Sequence, residues 1–106
     1  MAWIVLFAAG VFEVVWAFAM KRSDGFTRLP ESIVTVVAMV ASVVLLGWAM
    51  RVLPLGTAYA VWTGIGAVGS FLLGIWVLGE AATAGRLIAA AMIVGGLVLM
   101  KMSSSA

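Results

Sequence analysis

A chain of 106 residues, 66% of them hydrophobic and only 9% charged, with a mean hydropathy of +1.29, has the composition of an integral membrane protein and not of a water-soluble globular domain. Six Lys/Arg against four Asp/Glu leave a formal net charge of +2, too sparse and scattered for a nucleic-acid footprint, so no DNA or RNA partner is expected. The sequence has no cysteine and no histidine, which removes disulfides, thiolate chemistry and the usual metal ligand; no cofactor or metal is expected, and proton handling falls to the carboxylates.

The first apolar stretch, residues 2–20, is long enough to span a bilayer. It lacks the basic segment of a secretory signal and carries Glu13 inside it, so it reads as a retained span. Glu13 is the only ionisable side chain well inside any apolar run. An ionised acid at the centre of a membrane helix costs roughly 3 kcal/mol on insertion scales, so this one is read as a cation-handling or proton-handling site. Helical spacing puts Leu6, Ala9, Gly10, Trp16, Ala17 and Met20 on its face. Ala9 and Gly10 leave room for a ligand or for a closely packed helix, and Trp16 offers an indole face to a cation and an N–H donor.

A polar connection follows, with Lys21, Arg22, Asp24, Gly25 and Arg28, and its Pro30 and Glu31 suit the first turn of a second helix. That span covers residues 33–50. Ser42 is its sole polar residue away from the ends, and a lone membrane serine most often bonds back to its own helix. Residues 51–56, with Pro54 and Gly56, lead into a third span, 57–78, which holds the densest polar and aromatic set. Tyr59, Trp62, Thr63 and Gly66 share a face there. Tyr59 and Trp62 either point donors at a buried carboxylate or belong to an interfacial aromatic belt, the belt weighing more for Tyr59 near the span end. Gly64 and Gly66 invite a hinge, whereas Gly66, Ser70 and Gly74 form a small-residue ladder typical of close helix packing. A minimal connection at Gly79 and Glu80 precedes the fourth span, 81–100, rich in alanine and glycine and read as a packing or dimerisation element. Residues 101–106 form a polar stub. Trp3, Trp48 and Trp76 lie near span ends as interface anchors.

Short links make sequential helices antiparallel neighbours, so the expected fold is an all-α membrane protein with a single four-helix transmembrane domain over residues 1–106. Orientation follows the Lys/Arg bias of the loops. Here Lys21, Arg22, Arg28 and Arg86 on one side face Arg51 and Lys101 on the other, a small bias that admits either one preferred orientation or insertion both ways round. Transporters are commonly built from inverted repeats around a midplane site. This chain has no second half with a counterpart of Glu13, and an inverted second copy would supply one.

Gly10-x-x-Glu13-x-x-Trp16, together with Pro54-x-Gly56-x-Ala58-Tyr59-Ala60-x-Trp62-x-Gly64-x-Gly66, resembles the small multidrug resistance family of bacterial exporters over essentially the whole chain. Phe12-Glu13-Val14-Val15-Trp16 and Gly25-Phe26-Thr27-Arg28 look like its guanidinium-exporting subtype, where multidrug members usually carry small residues after the glutamate. The resemblance implies an antiparallel, dual-topology homodimer in the bacterial inner membrane that exchanges protons for guanidinium-like cations. It further implies a substrate and proton site made by Glu13 of both subunits with Trp16, Ser42, Tyr59 and Trp62; Gly10, Thr63, Gly64 and Gly66 are, from their spacing, the candidates for lining that site or for a helix hinge. A planar guanidinium presents paired N–H donors that a carboxylate grips bidentately. The alternatives are a broad quaternary-ammonium/proton antiporter, a passive cation channel, a rotor-type proton carrier, or a purely structural subunit. No nucleophile–base pair or metal cluster supports an enzyme.

Overall fold

The computed structural model describes residues 1–103. Four helices carry the chain: α1 Ala2–Arg22, α2 Leu29–Ala49, α3 Leu55–Trp76 and α4 Ala84–Ser103; no strand occurs among the described residues. All four are long and apolar enough to cross a bilayer, which makes this a multi-pass membrane protein. Of the expected polar stub, residues 101–103 continue α4 and the remainder lies outside the described residues.

Local chemistry moves several helix ends away from their expected places. α2 starts at Leu29, earlier than 33, because Pro30 fits its first turn behind an extended Arg28 N-cap (φ −102°, ψ 116°). α3 likewise starts directly behind the extended Pro54 (φ −60°, ψ 151°). α4 starts at Ala84, later than 81, because the Thr83 hydroxyl accepts the Arg86 N–H at 3.3 Å and satisfies one of the free donors of the first turn. The first connection is organised by Ser23, which is fully buried. Its N–H donates to the Ala19 carbonyl at 2.8 Å, its hydroxyl donates to Met20 O at 2.7 Å and accepts the Phe26 N–H at 3.1 Å. Asp24, Gly25 and Phe26 then pass through the left-handed region (φ 52°, 71° and 67°) and turn the chain into α2.

Packing departs from the sequential order. α1 lies between α2 and α3 and packs against both, α2 and α3 meet only slightly, and α4 rests mainly on α3, touching α1 where Lys101 stands 4.7 Å over the Trp3 ring. Glycine causes the α1–α3 contact: a Cβ at Gly10 would lie 2.6 Å from Ile65 Cγ2, so the two backbones approach as only glycine permits. Successive contacts Gly10–Ile65, Glu13–Gly66 and Val14–Gly69 advance along both helices together, so α1 and α3 run parallel. The buried apolar cluster of Leu6, Ala9, Leu46, Ala49, Leu53, Ala58 and Val61 fills the end where α1 begins. From Glu13 onward, Ala19 is the one buried residue of α1, and the opposite half of the α1–α3 seam is more loosely filled. The Cα framework measures 43 × 34 × 16 Å. Since a helix with its side chains is about 10–12 Å across, a slab this thin leaves a midspan residue close to an open face.

Candidate functional site

Glu13 sits near the middle of α1, and its carboxylate lies directly on Gly66 of α3, where a Cβ would have no space. One turn earlier Gly10 admits Ile65, and one residue later Val14 fills the notch at Gly69. The glycines of α3 thus receive α1, and one of them is the floor under the acid. Both Glu13 Oε2 and Trp16 Nε1 are buried without a hydrogen-bond partner. A buried acceptor and a buried donor left open three residues apart on one helix face call for a partner outside the chain, because buried polar groups are almost always satisfied.

A second polar group lies one turn away. Trp62 Nε1 donates to the Ser42 hydroxyl at 2.9 Å, and that hydroxyl donates to the Ala9 carbonyl of α1 at 2.7 Å. Ser42 is fully buried, and it bonds across to α1 instead of back to α2, contrary to the expectation for a lone membrane serine. The carbonyl it takes is that of Ala9, four residues before Glu13, so α2, α3 and α1 are fastened together just beside the acid. The Tyr59 ring lies at 5.4 Å from that of Trp62, tilted by 48°, with 53% of the residue exposed. Within the chain neither aromatic donates to Glu13: the Trp62 N–H is committed to Ser42, and no hydrogen bond reaches Glu13 Oε2. Ser42→Ala is expected to remove both bonds and lower stability by about 1 kcal/mol, within the range of interhelical hydrogen bonds in membrane bundles. A denaturant titration in detergent micelles measures it.

The remaining candidates separate. Gly10 and Gly66 belong to the α1–α3 seam beside Glu13. Gly64 instead receives Leu97 of α4, which makes it the packing point of the fourth helix, and Thr63 is exposed. α3 is continuous from Leu55 to Trp76, so no break marks a hinge at these glycines. The Ala9 carbonyl, Ile65 and Gly69 were not singled out by the sequence, since a main-chain acceptor and a notch have no signature until two helices are in register. No group of His, Cys, Asp or Glu able to hold a metal ion occurs among the described residues.

The sequence has counterparts among known proteins. The family model described as Small Multidrug Resistance protein matches residues 1–104. The guanidinium exporter of Citrobacter freundii is 56% identical over 104 residues, covering 98% of this chain and 99% of its own. The guanidinium exporter of Yersinia pseudotuberculosis serotype I is also 56% identical, over 98% of this chain and all of its own. A guanidinium exporter of Salmonella typhimurium strain LT2 is 54% identical with 98% and 99% covered.

Proposed function

Because the chain belongs to the Small Multidrug Resistance protein family, we propose that it is an antiporter that exports guanidinium and small guanidinyl cations in exchange for protons, by alternating access. The carrying observation is the Glu13 carboxylate, buried on Gly66 with Oε2 unpartnered. Its chemistry suits the cation, since a carboxylate takes two N–H donors of a planar guanidinium at once. The names of the relatives, guanidinium exporters, support the same substrate. Proton and cation compete for one carboxylate. If the empty, deprotonated carrier rarely reorients, inward proton flow drives outward cation flow.

The slab shape supports a second copy. A carrier only 16 Å thick in its Cα framework leaves a midspan acid close to an open face, and the buried Trp16 N–H and Glu13 Oε2 find no partner in their own chain. An antiparallel homodimer in the bacterial inner membrane, assembled from oppositely inserted chains, would bring two Glu13 side chains into one cavity. Such a pair titrates as a unit with macroscopic constants. The small Lys/Arg bias between the two ends allows both insertions.

Solid-supported-membrane electrophysiology on proteoliposomes tests the reading: guanidinium evokes currents that a proton gradient drives and that tetraalkylammonium ions of comparable concentration do not evoke. Currents insensitive to a proton gradient would instead mark a passive channel. Trp16 carries the selectivity argument, because its bulk stands one turn from the acid where a large cation would need room. Trp16→Gly is expected to admit bulkier quaternary ammonium ions, raising their evoked current at least about tenfold, the scale of a pocket contact of ~1–3 kcal/mol. A wild type that already carries large aromatic cations well would overturn the guanidinium assignment in favour of broad multidrug export.

A further inference from the structure

Two helical turns along α3 from Gly66 stands Gly74, and the carboxylate of Glu80 occupies the space where its Cβ would be. The local backbone arranges this. α3 ends at Trp76, Gly79 adopts φ +72°, and the reversed chain lets the Glu80 N–H donate to the Gly74 carbonyl at 2.9 Å. Gly79 takes the left-handed conformation without the cost a Cβ would impose. The small-residue ladder Gly66, Ser70, Gly74 therefore holds an acid at each end, Glu13 at midspan and Glu80 at the mouth.

Between the C-terminal halves of α1 and α3 lies a cleft of about 290 Å³, with Phe18, Lys21, Ser70, Phe71, Gly74 and Glu80 in its walls. Two features favour a cation there, the Glu80 carboxylate and the two phenylalanine rings. The Glu80 carboxylate lies beside the last turn of α3, where the helix dipole is itself negative; an acid at that end is placed against the usual preference and deepens the negative potential. Lys21 also lines the cleft and offsets part of this potential, but it makes no direct ion pair with Glu80: the ion pair found among the described residues is Arg28–Glu31 at 4.0 Å on the surface. Both phenylalanines of the wall already hold guanidinium groups: Arg22 stands 5.7 Å over Phe18 and Arg86 stands 5.2 Å over Phe71. The chain's own arginines thus display, on these two rings, the contact a free guanidinium would make.

We propose that this cleft is an outer subsite for guanidinium cations, with Glu80 as its carboxylate, Phe18 and Phe71 as its aromatic walls, and the ladder leading inward to Glu13. The subsite rests on the transport reading for its purpose, but not for its binding chemistry. It holds the cation weakly at the water-facing end of the seam and raises the local concentration at the mouth. Arg22 and Arg86 compete with the incoming ion for the rings, so occupancy stays transient. Gly74 is required because any side chain there would push Glu80 off the ladder.

Two measurements decide it. In proteoliposomes, Glu80→Gln is expected to raise the half-saturating guanidinium concentration about fivefold, the effect of one partly exposed charge contact, with the saturating current little altered. Gly74→Ala keeps the charge but displaces the carboxylate, and is expected to shift half-saturation in the same direction. In micelles, guanidinium chloride added to the Glu13→Gln protein is expected to move the amide resonances of Glu80 and Phe71, with sodium chloride at equal ionic strength leaving them in place. The same titration of the Glu13→Gln/Glu80→Gln double variant is expected to be flat. Unchanged half-saturation in both single variants, a fall in saturating current alone, or resonances that respond equally to sodium would overturn the subsite. A wild type that carries no guanidinium would sink the transport reading instead, and the resonance titration would still decide whether the cleft binds the ion.

Discussion

Glu13→Gln is expected to bring guanidinium-evoked, proton-driven current in proteoliposomes down to the background of protein-free vesicles, while the chain still inserts and assembles. The amide is nearly isosteric with the acid, so the seat on Gly66 is preserved and only the charge and the exchangeable proton are lost. A carboxylate–guanidinium pair makes two charge-assisted hydrogen bonds, and losing even one of about 1.5–3 kcal/mol lowers affinity roughly tenfold to a hundredfold. Under the proposed exchange, coupling is expected to suffer more than affinity, since an amide cannot carry a counter-moving proton at all. Size-exclusion chromatography of the variant separates loss of function from loss of assembly. Wild-type rates of coupled uptake by Glu13→Gln would remove the acid from the mechanism. A purely structural subunit would tolerate the substitution or gain stability from it, with no transport to lose, because a neutral residue at midspan is cheaper in hydrocarbon than an acid.

The acid was legible in the sequence because charge inside an apolar run is so costly that a single Glu stands out, and Trp16 followed from the three-residue spacing on the same face. The four helices were legible for a similar reason: long uncharged runs leave little choice in a bilayer. Which helices touch was not legible. Sequential order suggested α2 beside α3, whereas the glycine at position 10 opposite Ile65 brings α1 between them. The destination of Ser42 depends on that same register, since its acceptor is a main-chain carbonyl with no residue identity to betray it. Glu80 was hidden most deeply. Its place on Gly74 is set by the backbone conformation of Gly79, two residues past the α3 C-cap at Val77, and loop acids ordinarily point into water.

Gly66→Ala is the sharpest test of the seat itself. A Cβ added there would come within 2.7 Å of Glu13 Cδ and 3.0 Å of Cγ, distances at which something must move. What moves is the far end of a flexible glutamate, so α1 and α3 need not part, and the expected loss of stability is at most ~1 kcal/mol, the low end of overpacking costs. The carboxylate, however, leaves the groove that orients it, and transport is expected to fall at least about tenfold, the consequence of ~1.4 kcal/mol in positioning. Gly10→Ala provides the contrast. Its Cβ would meet Ile65 at Cγ2 and Cβ, at 2.6 Å and 2.8 Å, and a β-branched side chain held between helices has few other rotamers to take. That variant is expected to lose stability by about 1–3 kcal/mol as the helices separate, with transport falling in proportion to the folded fraction. Thermal unfolding and uptake measured on both proteins therefore distinguish a glycine that spaces helices from one that aims an acid. Gly66→Ala with wild-type transport, half-saturation and stability would show that Glu13 works equally well away from α3, and the seat would then have no part in exchange.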